Sequence, residues 1–254
     1  MSSSRLPGKV LLPIAGKPML QRVWERVAQA RLVENSIVAT TNDPSDDPLA
    51  VFCRQQGYAV FRGNLFDVLD RYYQAAIWCK AEIVVRITAD CPMIDPKGID
   101  AVIQKFLDDQ ADFAANRLPP PFKRTTPIGM DTEVCSFASL EQAWKHASKG
   151  FEREHVMPYL YDTPGRFKVS LVDLAEDLSQ LRFTVDTAAD LQVANEIYTA
   201  FAGREDFNLE ELLALNSLHP LWQQQVAGIQ PKPLFETDSR AQFIGSNQEG
   251  NPNG

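Results

Sequence analysis

Between residues 18 and 201, short β-type runs alternate with helical stretches, and this alternation most restricts the fold open to the chain. PMLQRVWERVAQAR (18–31) opens on a proline and places Met19, Leu20, Val23, Trp24 and Val27 on one face, as a helix packed on a sheet requires. SIVATT (36–41) reads as a buried strand, NDPSDDP as a turn, and LAVFCRQQ as a helix stopping at Gly57. A strand at 58–61, a helix at 66–80 and the strand EIVVRIT (82–88) follow, the last apolar enough to be covered on both faces. Beyond the loop ADCPMIDP come a helix at 97–109, a short strand near Phe113 and a proline-rich loop. Then follow a strand at 130–134, helices at 140–146 and 152–161, strands at 167–172 and 181–185, and a helix at 188–201. Strands separated by helices of this length predict an α/β fold with a doubly wound, mostly parallel sheet; the breaks from alternation after residue 112 make it mixed.

The chain has 254 residues, enough for one large α/β domain, expected over 1–228, with a polar tail at 229–254 ending SNQEGNPNG that is expected to be disordered. Its net charge of -8 argues against nucleic-acid binding, which needs a basic face to displace counterions. With no run of 18 apolar residues and no signal-peptide pattern, the expectation is a soluble cytoplasmic protein without a membrane partner. Cys53, Cys79, Cys91 and Cys135 lack CxxC spacing, which disfavours a zinc knuckle or a disulfide framework.

Candidate chemistry begins at SSSRLPGK. Ser3 and Ser4 offer hydroxyls, Gly8 a backbone free to bend around a ligand, and Arg5 and Lys9 two cations, which are the parts of a triphosphate cradle. An ordinary Pro-Gly surface turn accounts for the same residues equally well. AGKPM is no Walker A lysine, because Pro18 follows Lys17 and Leu11 stands where the first glycine belongs. Asp90 lies just past IVVRIT and Asp186 just past LRFTV, at strand ends where open α/β sheets place ligands. Each has a plainer role as a turn or helix cap. Together they can meet over one magnesium ion (Mg2+), with phosphate oxygens completing its shell. Asp131 in GMDTEV faces the same cleft or an exposed strand position, and Arg71 and Asp67 reach a base or sugar or line a solvated helix. The histidines show no paired metal spacing, and no GxSxG elbow is present.

SSSRLPGKVLLPIAGKPML, VATTNDPSDDP, FRGNLFDVLDRYYQAA, VVRITADCPMIDP, GMDTEV, FEREHVMPYLY and LRFTVDTAADL stand in one consistent order from residue 1 to about residue 202. In these stretches the chain resembles the spore coat polysaccharide biosynthesis protein F type of cytidylyltransferase-like proteins, related to the CMP-sugar synthetases for acylneuraminate and 3-deoxy-manno-octulosonate. The resemblance implies a nucleotide-diphospho-sugar transferase fold. It also implies CMP transfer from CTP to a sugar acid with release of pyrophosphate, for a surface polysaccharide or glycan. Carried onto this sequence, Arg5 and Lys9 hold the triphosphate and act in catalysis, and Asp90 and Asp186 hold magnesium. From the residues themselves, Ser3, Ser4 and Gly8 are the expected nucleotide contacts with Arg71 toward the base, and Asp131 is the expected substrate contact. A homodimer formed through FEREHVMPYLY is expected by the same analogy.

In that family an apolar strand precedes the phosphate turn, whereas here Met1 falls inside the motif. The sheet is therefore expected to lack its first, central strand, with neighbouring edges unpaired and an apolar slot open between them, and the expected start lies upstream. Two rival readings accompany the transferase: a glycosyltransferase using a ready-made nucleotide sugar, whose usual DxD is missing at a suitable strand end, and a catalytically degenerate nucleotide-binding subunit.

Overall fold

Local caps start the helices where the sequence pattern places them, and the sheets then collect their apolar faces. The computed structural model describes residue 3, residues 5–118 and residues 124–230. Ser4 and, of the tail expected at 229–254, residues 231–254 lie outside the described residues.

After the turn at Gly8, a 3-10 helix (Lys9–Leu11) leads into the hairpin β1 (Pro13–Ile14) and β2 (Lys17–Pro18), then α1 (Met19–Val27) and β3 (Val38–Thr41). Next come α2 (Asp47–Gln55), β4 (Val60–Gly63), α3 (Val68–Cys79), β5 (Ile83–Arg86) and α4 (Pro96–Asp108). The second half runs β6 (Phe113–Ala115), β7 (Glu133–Ser136), α5 (Phe137–His146), α6 (Gly150–His155), α7 (Pro158–Tyr161) and β8 (Val169–Leu171). It closes with α8 (Ala188–Ala200), α9 (Leu209–Leu218) and α10 (Leu221–Val226). Asp95 caps α4 through Gly98 N–H, Ser136 caps α5, and Thr187 with Asp190 forms a capping box on α8, each satisfying amides that have no partner within the helix.

The sheet is mixed, as the breaks in alternation imply. β3 and β4 pair in parallel, and a second sheet has the order β5-β7-β6-β8, with β7 antiparallel to both its neighbours and β6 parallel to β8. Among the described residues the two sheets share no hydrogen-bonded pair: β3 bonds only β4, and β5 only β7. Between them lies a cavity of about 360 Å³ lined by Val10, Leu20, Val38 and Ala89 with polar groups at its rim.

Strand alternation divides the core. Ala114 and Val134 face a cluster with Ile99, Val102 and Phe106 of α4 and Val193, Ile197 and Tyr198 of α8. Phe113, Ala115 and Cys135 face the other side, against Leu69, Leu140, Val156 and Leu160. Burying each large side chain contributes about 1.5–3 kcal/mol.

Three sequence expectations are corrected. The strand expected at 130–134 begins only at Glu133, because Gly129 (φ +97) bends the chain ahead of it against Thr184. Residues 181–185 form no strand: Phe183 N–H donates to Ile128 O (2.7 Å) and Val185 N–H to Asp90 O (2.9 Å), so the segment threads between two loops rather than along one ladder. The helix expected at 152–161 is two, because Val156 turns to φ 74 and Pro158 has no N–H to continue the ladder. Val156, Met157, Leu160 and Tyr161 of the FEREHVMPYLY stretch are buried in the chain's own core, so they offer no apolar face to a second copy.

Candidate active site

Gly8 sits in the left-handed region at φ 69, a conformation glycine reaches without a Cβ penalty, and this directs Lys9 inward at the start of the 3-10 helix. The Lys9 ammonium then finds three oxygens: Asp90 Oδ2 at 2.8 Å, Asp186 Oδ1 at 2.9 Å and the Val185 carbonyl at 2.9 Å. Arg5 reaches the same Asp186 Oδ1 at 2.9 Å. Four residues that the sequence places at positions 5, 9, 90 and 186 thus meet at one point. Burial opposes the charge on Lys9, but Asp90 and Asp186 outweigh it and raise its pKa above the usual lysine value. Burial likewise opposes ionisation of Asp186, and Lys9, Arg5 and Arg182 overcome it, holding the carboxyl below its usual range.

The carboxylates are held in place by their surroundings. Val185 N–H and the Thr184 hydroxyl both donate to the Asp90 carbonyl at 2.9 Å, tying the end of the β5 loop to the segment that carries Asp186. Arg182 donates to Asp186 Oδ2 (2.9 Å) and Asp190 Oδ1 (2.8 Å), while Asp190 Oδ2 accepts from the N–H groups of Asp186 and Thr187. Arg182 and Asp190 escaped the sequence reading. Their only signal is the four-residue spacing 182, 186, 190, which a strand assignment at 181–185 conceals.

The donor set also fits a metal ion. An ammonium stands where two carboxylates and a carbonyl oxygen converge, and hard oxygen donors in that number are what a magnesium ion takes when phosphate oxygens and water complete its shell. Among the described residues no group of three or more His, Cys, Asp or Glu is placed to hold a metal, so such an ion would depend on the ligand's own oxygens.

Beside this point opens the cavity between the sheets, lined by Ser3, Thr40, Thr41, Asp46, Phe66 and Arg71. Thr40 and Thr41 both donate hydroxyls to Asp46 Oδ2, at 2.7 and 2.6 Å. Arg71 donates Nη1 to Asn64 O at 2.6 Å, and its buried Nε has no hydrogen-bond partner among the described residues. Its stem lies against β4 because Gly63 has no side chain; a Cβ there would come within 2.9 Å of Arg71 Cγ. Asp67, a sequence candidate for base or sugar, instead caps α3 and binds Arg153 at 2.6 Å, tying α3 to α6. Asp131 is no free carboxylate: it pairs with Arg117 and Arg124, two residues the sequence reading passed over. The four cysteines are free thiols, and no helix among the described residues is long and apolar enough to cross a membrane.

A family model described as cytidylyltransferase matches residues 1–230. The chain is 30% identical over 227 residues to the spore coat polysaccharide biosynthesis protein SpsF of Bacillus subtilis, covering 87% of this chain and 92% of that one. It is 36% identical over 195 residues to a 3-deoxy-manno-octulosonate cytidylyltransferase of Escherichia coli, covering 71% and 78%. A solved cytidylyltransferase from Leptospira borgpetersenii serovar Hardjo-bovis superposes with a TM-score of 0.82 at 31% identity, over 92% of this chain and 95% of that one.

Proposed function

Because the chain belongs to the cytidylyltransferase family, we propose that it transfers CMP from CTP to a sugar acid, releasing pyrophosphate, in the synthesis of a polysaccharide or surface glycan. A hydroxyl of the acceptor attacks the α-phosphorus of CTP, the bond from that phosphorus to the bridging α–β oxygen breaks, and pyrophosphate leaves with its charge. The observation that carries this reading is the convergence of Arg5, Lys9, Asp90 and Asp186 beside the cavity.

Gly8 and the turn around it offer backbone N–H groups, and Lys9 and Arg5 bring positive charge to the leaving phosphates. Lys9 already satisfies three acceptors, so it reaches a phosphate by giving up at least one of them. Asp90 and Asp186 would hold magnesium, which would offset the negative charge of the phosphates. Arg71, Thr40 and Thr41 line the cavity for base and ribose, and the buried Nε–H of Arg71 is a donor awaiting an acceptor.

Thermal shift with magnesium and a panel of CTP, UTP, ATP, GTP and UDP-sugars tests the reading. A ligand at 100 times its Kd stabilises by about 2.7 kcal/mol. Selective stabilisation by CTP is expected. Preference for UDP-sugars would turn the reading to glycosyl transfer, and silence toward every nucleotide would overturn it.

A further inference from the structure

A second charged cluster lies at the end of β7, outside the nucleotide cavity. Arg86 and Glu133 pair across β5 and β7 with side chains 14% and 5% exposed, so each satisfies the other's charge in the interior. Arg117 and Arg124 are left to share one carboxylate, that of Asp131. Among the described residues the cluster holds three guanidiniums, Arg86, Arg117 and Arg124, against two carboxylates, Asp131 and Glu133. Among these five described residues one positive charge is in excess. It sits on Arg117 and Arg124, whose side chains are 25% and 20% exposed, within reach of a ligand. Among the described residues the buried Nε–H groups of both have no hydrogen-bond partner, that of Arg117 lying 3.1 Å from Asp131 Oδ2 but off line.

The pair is mounted rigidly. Asn116 donates its amide to Met130 O (2.7 Å) and accepts from Thr132 N–H (2.9 Å), clamping both neighbours of Asp131. Arg117 and Arg124 face each other across an antiparallel bridge. Gly129, two residues before Asp131, lies against Thr184, two residues before Asp186, and the Cys91 thiol feels the charges of both Asp90 and Asp131. The cluster therefore belongs to the same site as Lys9 but occupies another side of it, and none of its five residues lines the nucleotide cavity.

We propose that Arg117 and Arg124 determine acceptor specificity by receiving the carboxylate of the incoming sugar acid. This rests on the cytidylyltransferase reading and names the residues that select its second substrate. Two planar guanidiniums match a carboxylate with paired N–H donors, and a single excess charge matches a monoanion better than a phosphate dianion. Asp131 is then a positioning residue: it balances and orients the two guanidiniums.

The test combines pyrophosphate release with thermal shift, using the full chain with CTP and magnesium. The probe acceptors are 3-deoxy-manno-octulosonate and N-acetylneuraminate, set against their methyl esters and against sugar 1-phosphates. Arg117→Gln and Arg124→Gln are expected to raise KM for the acids at least about tenfold, the loss of a charge-assisted hydrogen bond, while KM for CTP and the CTP thermal shift stay unchanged. Arg117→Lys, which keeps the charge, is expected to raise the acid KM as well because an ammonium lacks the fork, and it serves if a glutamine variant fails to fold. Equal use of acids and esters, preference for sugar phosphates, unchanged acid KM in the variants, or a CTP-stabilised protein that neither binds nor turns over either acid would overturn the proposal. Absence of CTP stabilisation marks failure of the transferase reading; CTP stabilisation without selection for the acids marks failure of this inference alone.

Discussion

The Lys9 ammonium lies 2.8 Å from Asp90 Oδ2, joining the turn at Gly8 to the loop after β5 across 81 positions of sequence. The same nitrogen also binds Asp186, so one cation holds three segments of the chain together.

Lys9→Ala should therefore lower kcat/KM for CTP by about 10² or more, the scale seen when a preorganised donor to developing negative charge is removed. Arg5 and Arg182 still pair with Asp186 in this variant, so its urea midpoint should fall modestly. Turnover equal to that of the unaltered chain would remove Lys9 from the phosphate site.

The same contacts set a pH dependence. The Lys9 pKa is raised in the folded chain, so its contribution is fully present below the unfolded value of about 10.4 and is lost as pH rises through the folded value. The Asp186 pKa is lowered, so its contribution is present above the unfolded value of about 3.9 and is lost as pH falls through the folded value. Urea unfolding at a series of pH values should show Lys9→Met converging on the unaltered chain only at the alkaline end, and Asp186→Asn only at the acidic end. Convergence near neutrality would contradict both assignments.

Arg182→Ala should destabilise the fold by about 3–5 kcal/mol, because it leaves Asp190, with a side chain 1% exposed, as a buried charge without its cation. Arg182→Lys should recover only part of that, since one ammonium does not replace a guanidinium bonded to two carboxylates. Equilibrium denaturation in guanidinium chloride measures both, and a loss below 1 kcal/mol for the alanine variant would sink the idea that this triad anchors α8.

Gly129→Ala should be costly despite adding one methyl group. The new Cβ would lie 2.4 Å from the Thr184 backbone nitrogen, at a φ of +97 that L-residues rarely adopt. Backbone against backbone cannot yield as a side chain can, so a loss at or above about 3 kcal/mol is expected. Activity should fall with it, because residues 183–185 lead directly into Asp186. The melting temperature and pyrophosphate release, measured on one preparation, check both halves.

Much of the fold was legible because it rests on short-range rules. The apolar spacing of α1 and the proline that opens it are properties of neighbouring residues; β5 lies where its apolar run was expected, but none of its residues is buried, because among the described residues one edge of that strand has no partner. Where the reading failed, a distant partner decided. Residues 181–185 have the composition of a strand, but their amides go to Ile128 and Asp90. The start of β7 moves to Glu133 because Gly129 must pass close to Thr184. Asp67 reads like a ligand contact and is claimed by Arg153 from α6.

The sequence by itself determined the alternating α/β plan and named Arg5, Lys9 and Asp90 from turn residues, a strand end and charge type, which are local properties; Asp186 was named too, but from a strand at 181–185 that does not form. Only the tertiary structure decided that the Lys9 ammonium joins Asp90 to Asp186 with Arg5 on the same Asp186 oxygen, that Arg182 and Asp190 lock Asp186 in place, and that Arg117 and Arg124 share Asp131. The physical reason is one of range. Backbone preference and hydrophobic period act over a few residues, whereas the partner of a buried charge is chosen by whichever segments the packed core brings within about 3 Å of it.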